Sequence, residues 1–213
     1  MAKVKICGLR DEETVRGTAR AGADWVGFNL IPASPRFVED NLLELLLASA
    51  DAGVRSVVLF ADPTPEDLRP IAGAVMPDAV QLHGKETPEF VTQMRSVLPP
   101  SIEVWKVIGA GTADDLARAE DFKAADRLVV DAKPPEGTAQ TGGHGVTFDW
   151  SILDGWHAPK PWFLAGGLTP ENVGAAIAAT GAAAVDVSSG VERARGVKDE
   201  QLIRSFIAAA KTV

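Results

Sequence analysis

The chain has 213 residues, 46% of them hydrophobic, which is enough for one large α/β domain or for two small ones. Its single cysteine excludes an internal disulfide and a cysteine-cluster metal site, and its three histidines are not spaced as metal ligands. A net charge of −8 argues against a broad surface for nucleic acid or an anionic membrane, so an anion would need a local site.

The N-terminus and the hydropathy of the chain predict a cytoplasmic protein that does not enter a membrane. A β-like segment begins within three residues of Met1, with no basic segment followed by a long apolar one. No segment approaches the roughly 18 uninterrupted apolar residues that a membrane helix needs.

Eight short apolar or β-branched segments predict strands along the chain. They begin at residues 4, 25, 55, 79, 103, 127, 161 and 183 and read "VKIC", "WVGFNL", "RSVVLF", "AVQLHG", "EVWKVIG", "RLVVDA", "PWFLAGG" and "AAVDVSSG".

Helical spacing is found between these strands. It covers 11–21, 39–50, 65–74, 88–98, 113–123, 170–179 and 198–210, whereas the segment "FDWSIL" from Phe148 is barely two turns long. The sequences "TPED", "TPEF" and "TPEN" each place Thr at a helix N-cap and Pro at the first helical position.

Strand and helix alternate every 20 to 35 residues or so, which favours parallel strands joined by right-handed crossovers. Eight units predict a single (β/α)8 TIM barrel over residues 1–213, with no linker dividing it. An open, doubly wound sheet is the alternative, but "CGLRDEE" after the first strand is not the glycine-rich turn expected there. The long loop from Lys133, "KPPEGTAQTGGHGVT", is predicted to be functional.

In such a barrel the active site lies at the C-terminal ends of the strands. Cys7 ends the first strand and Asp131 ends the apolar segment "RLVV" of the sixth. Together a thiol and a carboxylate at this end could divide base and acid roles without a metal. The alternatives are a small buried hydrophobic residue for Cys7 and an N-cap or loop contact for Asp131.

Three further side chains are candidates for binding substrate. Arg36 follows a proline in a loop and could bind a carboxylate or phosphate, or be only a solvated charge. Gln81 and His83 share one face of the fourth strand, and His83 has a hydrogen-bonded structural role as its alternative.

Glycine- and serine-containing turns follow the seventh and eighth strands, where TIM barrels often bind phosphate through backbone N–H groups. The alternative is that these small residues only make tight turns. The candidates are Gly166, Gly167, Ser188, Ser189 and Gly190.

In order along the chain, "KICGL", "GFNLIPASPRFV", "VQLHG", "VVDA" with "GGHGVTFDW", "LAGGLTPENV" and "VDVSSGVE" closely resemble the phosphoribosylanthranilate isomerase family of tryptophan biosynthesis. The resemblance spans nearly the whole chain. It implies a TIM barrel that converts N-(5-phosphoribosyl)anthranilate to 1-(2-carboxyphenylamino)-1-deoxyribulose 5-phosphate, an Amadori rearrangement without cofactor or metal.

The resemblance also implies residue roles. Cys7 would be the general base and Asp131 the general acid, while Arg36 would bind the anthranilate carboxylate and Asp186 would lie near the anthranilate. Phosphate would be held by the two turns named above, together with Gly142 and Gly143. The implied partner is one phosphorylated small molecule, and the chain would act as a monomer or homodimer.

Two positions depart from the family pattern. His144 replaces the small hydroxyl residue of the usual "GGTG" or "GGSG", and Ala132 follows the acid where Ser or Thr is common. Neither removes a proposed catalytic group. The rivals are the related histidine-pathway isomerase, which usually uses two aspartates, and a barrel that binds a phosphorylated ligand without catalysis.

Overall fold

The computed structural model describes residues 1–38, 40–64, 66–71, 75–133 and 149–213, and in it eight parallel strands form a closed barrel in the order β1 to β8. The predicted (β/α)8 architecture is therefore confirmed. The strands are β1 (Lys3–Cys7), β2 (Trp25–Asn29), β3 (Arg55–Phe60), β4 (Ala79–Leu82), β5 (Glu103–Ala110), β6 (Arg127–Ala132), β7 (Trp162–Leu164) and β8 (Ala184–Val187).

Six α-helices are found among the described residues. They are α1 (Glu12–Arg20), α2 (Leu42–Asp51), α3 (Pro88–Val97), α4 (Ala113–Ala117), α5 (Val173–Thr180) and α6 (Glu200–Thr212). The predicted cap of α3 is confirmed, because the Thr87 side chain accepts a hydrogen bond from the N–H of Phe90 and Pro88 begins the helix.

Several helix predictions need correction. The segment Glu66–Ile71 is a 3-10 helix rather than an α-helix. The helix predicted at 113–123 becomes 3-10 at Arg118–Asp121, and the short segment before β7 is a 3-10 helix at Trp150–Leu153. The last two helices begin two or three residues later than predicted, at caps Asn172 and Asp199.

Each barrel strand is buried on both faces, as expected of a parallel sheet covered by helices. In β1, Val4 and Ile6 point outward into the core beneath the helices, whereas Lys5 and Cys7 belong to the opposite, inner face. This alternation places Lys5 and Cys7 inside the barrel, two residues apart on the same face of β1.

An aromatic cluster fills the N-terminal end of the barrel interior. The rings of Trp105 and Phe163 stack with centroids 4.7 Å apart, and Trp25 meets Phe163 edge-on at 5.1 Å. Above it, the interior becomes polar toward the C-terminal ends of the strands, where Gln81 and Asp186 are buried.

A small antiparallel hairpin was not predicted. After the 3-10 turn Ser189–Val191, β9 (Glu192–Ala194) pairs with β10 (Val197–Lys198) before α6 begins.

Among the described residues, no helix is long and apolar enough to cross a membrane. The cytoplasmic location stays a prediction.

Candidate active site

Cys7 lies at the C-terminal end of β1, beside Gly27 of β2, and is 6% exposed. Burial raises the pKa of its thiol, and the carboxylate of Asp186 adds to this effect. The cations of Lys5, Lys198 and Arg36 act in the opposite direction. Burial outweighs these cations, so the net effect of the surroundings is to raise the pKa of the thiol.

An ion pair that the sequence analysis missed lies below Cys7. Lys5 Nζ donates to Asp186 Oδ2 at 2.9 Å, and the two residues are register partners on β1 and β8. Lys5 is fully buried; burial opposes its charge, but Asp186 and Cys7 outweigh that effect and raise its pKa. Asp186 Oδ1 is buried without a partner and is free to accept one further hydrogen bond.

Asp131 is the last residue but one of β6, and its side chain pairs with that of His83, the residue after β4. His83 Nε2 is 3.3 Å from Asp131 Oδ2, and both side chains are about 15% exposed. The other ring nitrogen, Nδ1, is 3.2 Å from Nε2 of Gln81. Gln81 is completely buried, so it reaches the site through His83 rather than by its own surface.

Arg36 is buried, and the alternative that it is only a solvated charge is wrong. Its Nε and Nη2 donate to the two carboxylate oxygens of Glu192 at 2.6 and 2.9 Å, a paired geometry typical of arginine. Lys198 Nζ donates to the same carboxylate at 2.9 Å. Although burial opposes ionisation, Arg36 and Lys198 lower the pKa of Glu192 to about 2.

The glycine of "KICGL" makes room for this arginine. Gly8 has φ of +81°, a conformation that side chains disfavour, and a Cβ there would lie 2.5 Å from Cδ of Arg36. Arg36 therefore crosses the end of β1 directly beside Cys7. The first strand and the "SPR" loop contribute to one site because of this close approach.

Ser188 connects the turn after β8 to the thiol residue. Its Oγ donates to the carbonyl oxygen of Cys7 at 3.1 Å, while Lys198 Nζ donates to the Ser188 carbonyl at 2.9 Å. The hydroxyl is therefore used within the chain, and a phosphate contact from Ser188 would come from its backbone N–H.

The other phosphate-turn candidates lie in the turns after β7 and β8. Gly166 has φ of +86°, and a Cβ there would lie 2.5 Å from the backbone nitrogen of Ala132, so the β7 turn packs closely on the end of β6. Gly167 shares that turn, and its carbonyl accepts from Asn172 Nδ2 at 3.0 Å. Ser189 and Gly190 form the 3-10 turn after β8.

Gly142, Gly143 and His144 lie outside the described residues, as does most of the loop from Lys133. Within the ranges that are described, no three His, Cys, Asp or Glu side chains are grouped so that they could hold a metal ion.

Comparison with known proteins identifies the family. The model of the family "N-(5'phosphoribosyl)anthranilate (PRA) isomerase" matches residues 4–209. The chain belongs to this family. An N-(5'-phosphoribosyl)anthranilate isomerase of Hyphomonas neptunium is 54% identical over 211 residues, which cover 99% of this chain and 98% of the relative.

Solved structures of the isomerase family agree with this assignment. Phosphoribosyl anthranilate isomerase of Thermotoga maritima matches with a TM-score of 0.87 at 36% identity, covering 100% of both chains. Another member, solved in complex with reduced 1-(o-carboxyphenylamino)-1-deoxyribulose 5-phosphate, has a TM-score of 0.78 at 32% identity, again over 100% of both chains. The predicted isomerase family is confirmed, and the histidine-pathway rival is not supported.

Sequence reasoning missed Lys5, Glu192 and Lys198. Lys5 could have been found from its position two residues before Cys7, because alternate residues of a strand share a face. Glu192 closes the quoted "VDVSSGVE" motif, but its bonds to Arg36 depend on a contact across 156 residues. No local pattern carries that information.

Proposed function

We propose that this chain isomerises N-(5-phosphoribosyl)anthranilate to 1-(2-carboxyphenylamino)-1-deoxyribulose 5-phosphate in tryptophan biosynthesis, with Asp131 as general acid and Cys7 as general base. The observation that carries the proposal is the placement of both residues at the C-terminal end of the same barrel, where each has its own polar neighbours. Family membership and the complex of a relative with a reduced product analogue support it.

The acid step comes first. Asp131 gives a proton to the furanose ring oxygen, the bond from that oxygen to C1′ breaks, and the anilino nitrogen forms a Schiff base with C1′. His83 lies against Oδ2 of Asp131, so Oδ1 is the oxygen that is free to face the substrate. With a proton on Nε2, His83 would also stabilise the carboxylate that proton transfer leaves behind, through its 3.3 Å contact with Oδ2.

The base step follows. The thiolate of Cys7 removes the proton from C2′, and the electron pair moves into the Schiff base to give an enolamine that tautomerises to the ketone. Lys5, Lys198 and Arg36 favour the thiolate electrostatically against the cost of burial. A positioned base of this kind contributes roughly 10² to 10⁴ in rate.

Binding of the substrate uses the remaining groups. Arg36 would direct its Nη1, which is not bonded to Glu192, at the anthranilate carboxylate. Asp186 Oδ1 would lie near the anthranilate, and the turns containing Gly166, Gly167, Ser188, Ser189 and Gly190 would hold the phosphate through backbone N–H groups. The role of Gly142 and Gly143 in phosphate binding stays a prediction.

The test is an isomerase assay on freshly made phosphoribosylanthranilate with a metal chelator present, for the wild type, Cys7→Ser and Asp131→Asn. We expect turnover by the wild type and a loss of roughly 10² to 10⁴ in kcat for each variant. Unchanged kcat in both variants would contradict the acid–base assignment. A wild type that binds the product but does not turn over would favour a barrel that only binds ligand.

Relatives leave the assembly of this chain open. One solved family member is described as monomers generated from a dimeric phosphoribosyl anthranilate isomerase of Thermotoga maritima. The monomer and the homodimer both stay predictions for this chain. Sedimentation of the purified protein distinguishes the two states by mass.

A further inference from the structure

The side chains of Gln81, His83 and Asp131 form a line of polar contacts from the barrel interior to the site. Gln81 Nε2 is 3.2 Å from His83 Nδ1, and His83 Nε2 is 3.3 Å from Asp131 Oδ2. We propose that Gln81 is a positioning residue that fixes His83 as the neutral tautomer protonated on Nε2, so that His83 always presents an N–H to Asp131. This inference rests on the proposed function of Asp131 as general acid.

The position of the ring proton follows from the contact with Asp131. The proton that Asp131 gives to the substrate is on Oδ1, so Oδ2 is an acceptor whether or not that proton is present, and at 3.3 Å an N–H on Nε2 suits it whereas a bare Nε2 would set two lone pairs against each other. In a neutral imidazole the other nitrogen, Nδ1, is then an acceptor, and the amide N–H of Gln81 is the donor that suits it.

The same contact disfavours the doubly protonated ring. An imidazolium would place an N–H of Nδ1 against the amide N–H of Gln81, which leaves two donors facing each other in a buried space. Gln81 therefore keeps a cation away from Asp131. A neutral N–H orients the carboxyl group, whereas a cation would favour the ionised form of a carboxyl group, which has no proton to give.

Burial shows that Gln81 acts through His83. Gln81 has no exposed surface, and in the barrel interior it is surrounded by side chains such as Leu59 and Trp105, its register partners on β3 and β5. Its Oε1 is buried with no hydrogen-bond partner. An apolar side chain at this place would avoid that cost, and the contact of Nε2 with His83 is what offsets it.

The direct test is the ¹⁵N NMR spectrum of the histidine rings, recorded at neutral pH without substrate. The chain has three histidines, and the His83 resonances are those that disappear in His83→Asn. We expect a bare Nδ1 and a protonated Nε2 in the wild type. In Gln81→Leu, where the donor is gone, we expect Nδ1 to become at least partly protonated.

Kinetics supply the second readout. We expect kcat to fall about 3- to 10-fold in Gln81→Leu, the equivalent of one net hydrogen bond, with KM changed less than about twofold. Gln81→Glu should put protons on both ring nitrogens of His83 and lower kcat further. Gln93→Leu and Gln93→Glu are the controls, because Gln93 is exposed on α3 and these substitutions repeat both changes on the surface.

Three outcomes would overturn the proposal. They are a proton on Nδ1 in the wild type, ring resonances and kcat of Gln81→Leu that match the wild type, and a lower kcat in Gln81→Leu with unchanged ring resonances. The last would mean that Gln81 acts only through packing. Because the spectra need no substrate, they report on the tautomer even if the wild type proves inactive, in which case only the proposed function fails.

Discussion

Arg36 and Glu192 form a paired hydrogen-bonded ion pair at the mouth of the barrel, although 156 residues separate them in the chain. Glu192 belongs to the small hairpin after β8, and Arg36 belongs to the loop after β2. The ion pair therefore joins the loop after β2 to the hairpin after β8, beside Cys7. The pair uses two nitrogens of the guanidinium, Nε and Nη2, and leaves the third, Nη1, unbonded to Glu192.

Loss of the guanidinium should weaken substrate binding. We expect Arg36→Met to raise KM about 10- to 100-fold, the range for a lost charge-assisted hydrogen bond, with a smaller effect on kcat. The matched control is Arg193→Met, which removes an exposed arginine from the neighbouring hairpin. Steady-state kinetics measure both. If Arg36→Met and Arg193→Met have the same KM, Arg36 serves only the structure.

Glu192 should make the stability of the fold sensitive to acid. Its pKa in the folded chain is about 2, below the ordinary 4.5, so its contribution is complete above pH 4.5 and disappears as the pH falls toward 2. We expect Glu192→Gln to lower the free energy of unfolding by about 1–3 kcal/mol at pH 7 and by almost nothing near pH 2.

Urea unfolding of the wild type and Glu192→Gln between pH 7 and pH 2 measures this difference. Glu13→Gln, at an exposed position on α1, is the control and should cost little at any pH. A difference between wild type and Glu192→Gln that stays constant over this range would contradict the assignment of a lowered pKa.

The buried pair of Lys5 and Asp186 should be costly to break from one side. Lys5→Met leaves the Asp186 carboxylate buried without its partner, and we expect a loss of about 3–5 kcal/mol in the free energy of unfolding. Lys5→Met combined with Asp186→Leu should recover much of that loss. Lys3→Met, in the same strand, should cost less than about 1 kcal/mol because Lys3 is 60% exposed.

Chemical unfolding of these variants measures both predictions. Equal losses in Lys3→Met and Lys5→Met would show that the inner pair contributes no more than a surface ion pair.

The titration of Cys7 can be followed directly, because it is the only cysteine. Burial raises its pKa, so we expect the rate of alkylation by iodoacetamide to rise with pH through a midpoint above that of the unfolded chain. The reacting species is the thiolate, which is why the rate reports the ionised fraction. A native midpoint lower than the one measured in denaturant would mean that Lys5, Lys198 and Arg36 outweigh burial.

Much of the barrel follows from local patterns. Strands such as "RSVVLF" are apolar on both faces, and this feature marks a covered parallel sheet wherever it occurs. The helices were harder to delimit, because the spacing of apolar residues does not separate an α-helix from the 3-10 turn that continues it, as at Arg118–Asp121. Thr87 was predicted correctly as a cap because its partner, Phe90, lies only three residues away.

The site follows from sequence only in part. Topology brings all strand ends to one face, so Cys7 and Asp131 could be placed there before their contacts were known. The partners of Arg36 and Lys5 could not be predicted, because each pairing depends on which side chains converge after the barrel closes. Gly8 illustrates the difference. Its motif is visible in the sequence, but a glycine is needed there because the side-chain carbons of Arg36 pack against it, which only the structure shows.

The aromatic cluster of Trp25, Trp105 and Phe163 closes the lower end of the barrel interior. A molecule bound at the C-terminal ends of the strands therefore leaves by the opening through which it entered. The far end offers no second route, so the access of a ligand to the strand ends depends on the loops at the C-terminal face alone.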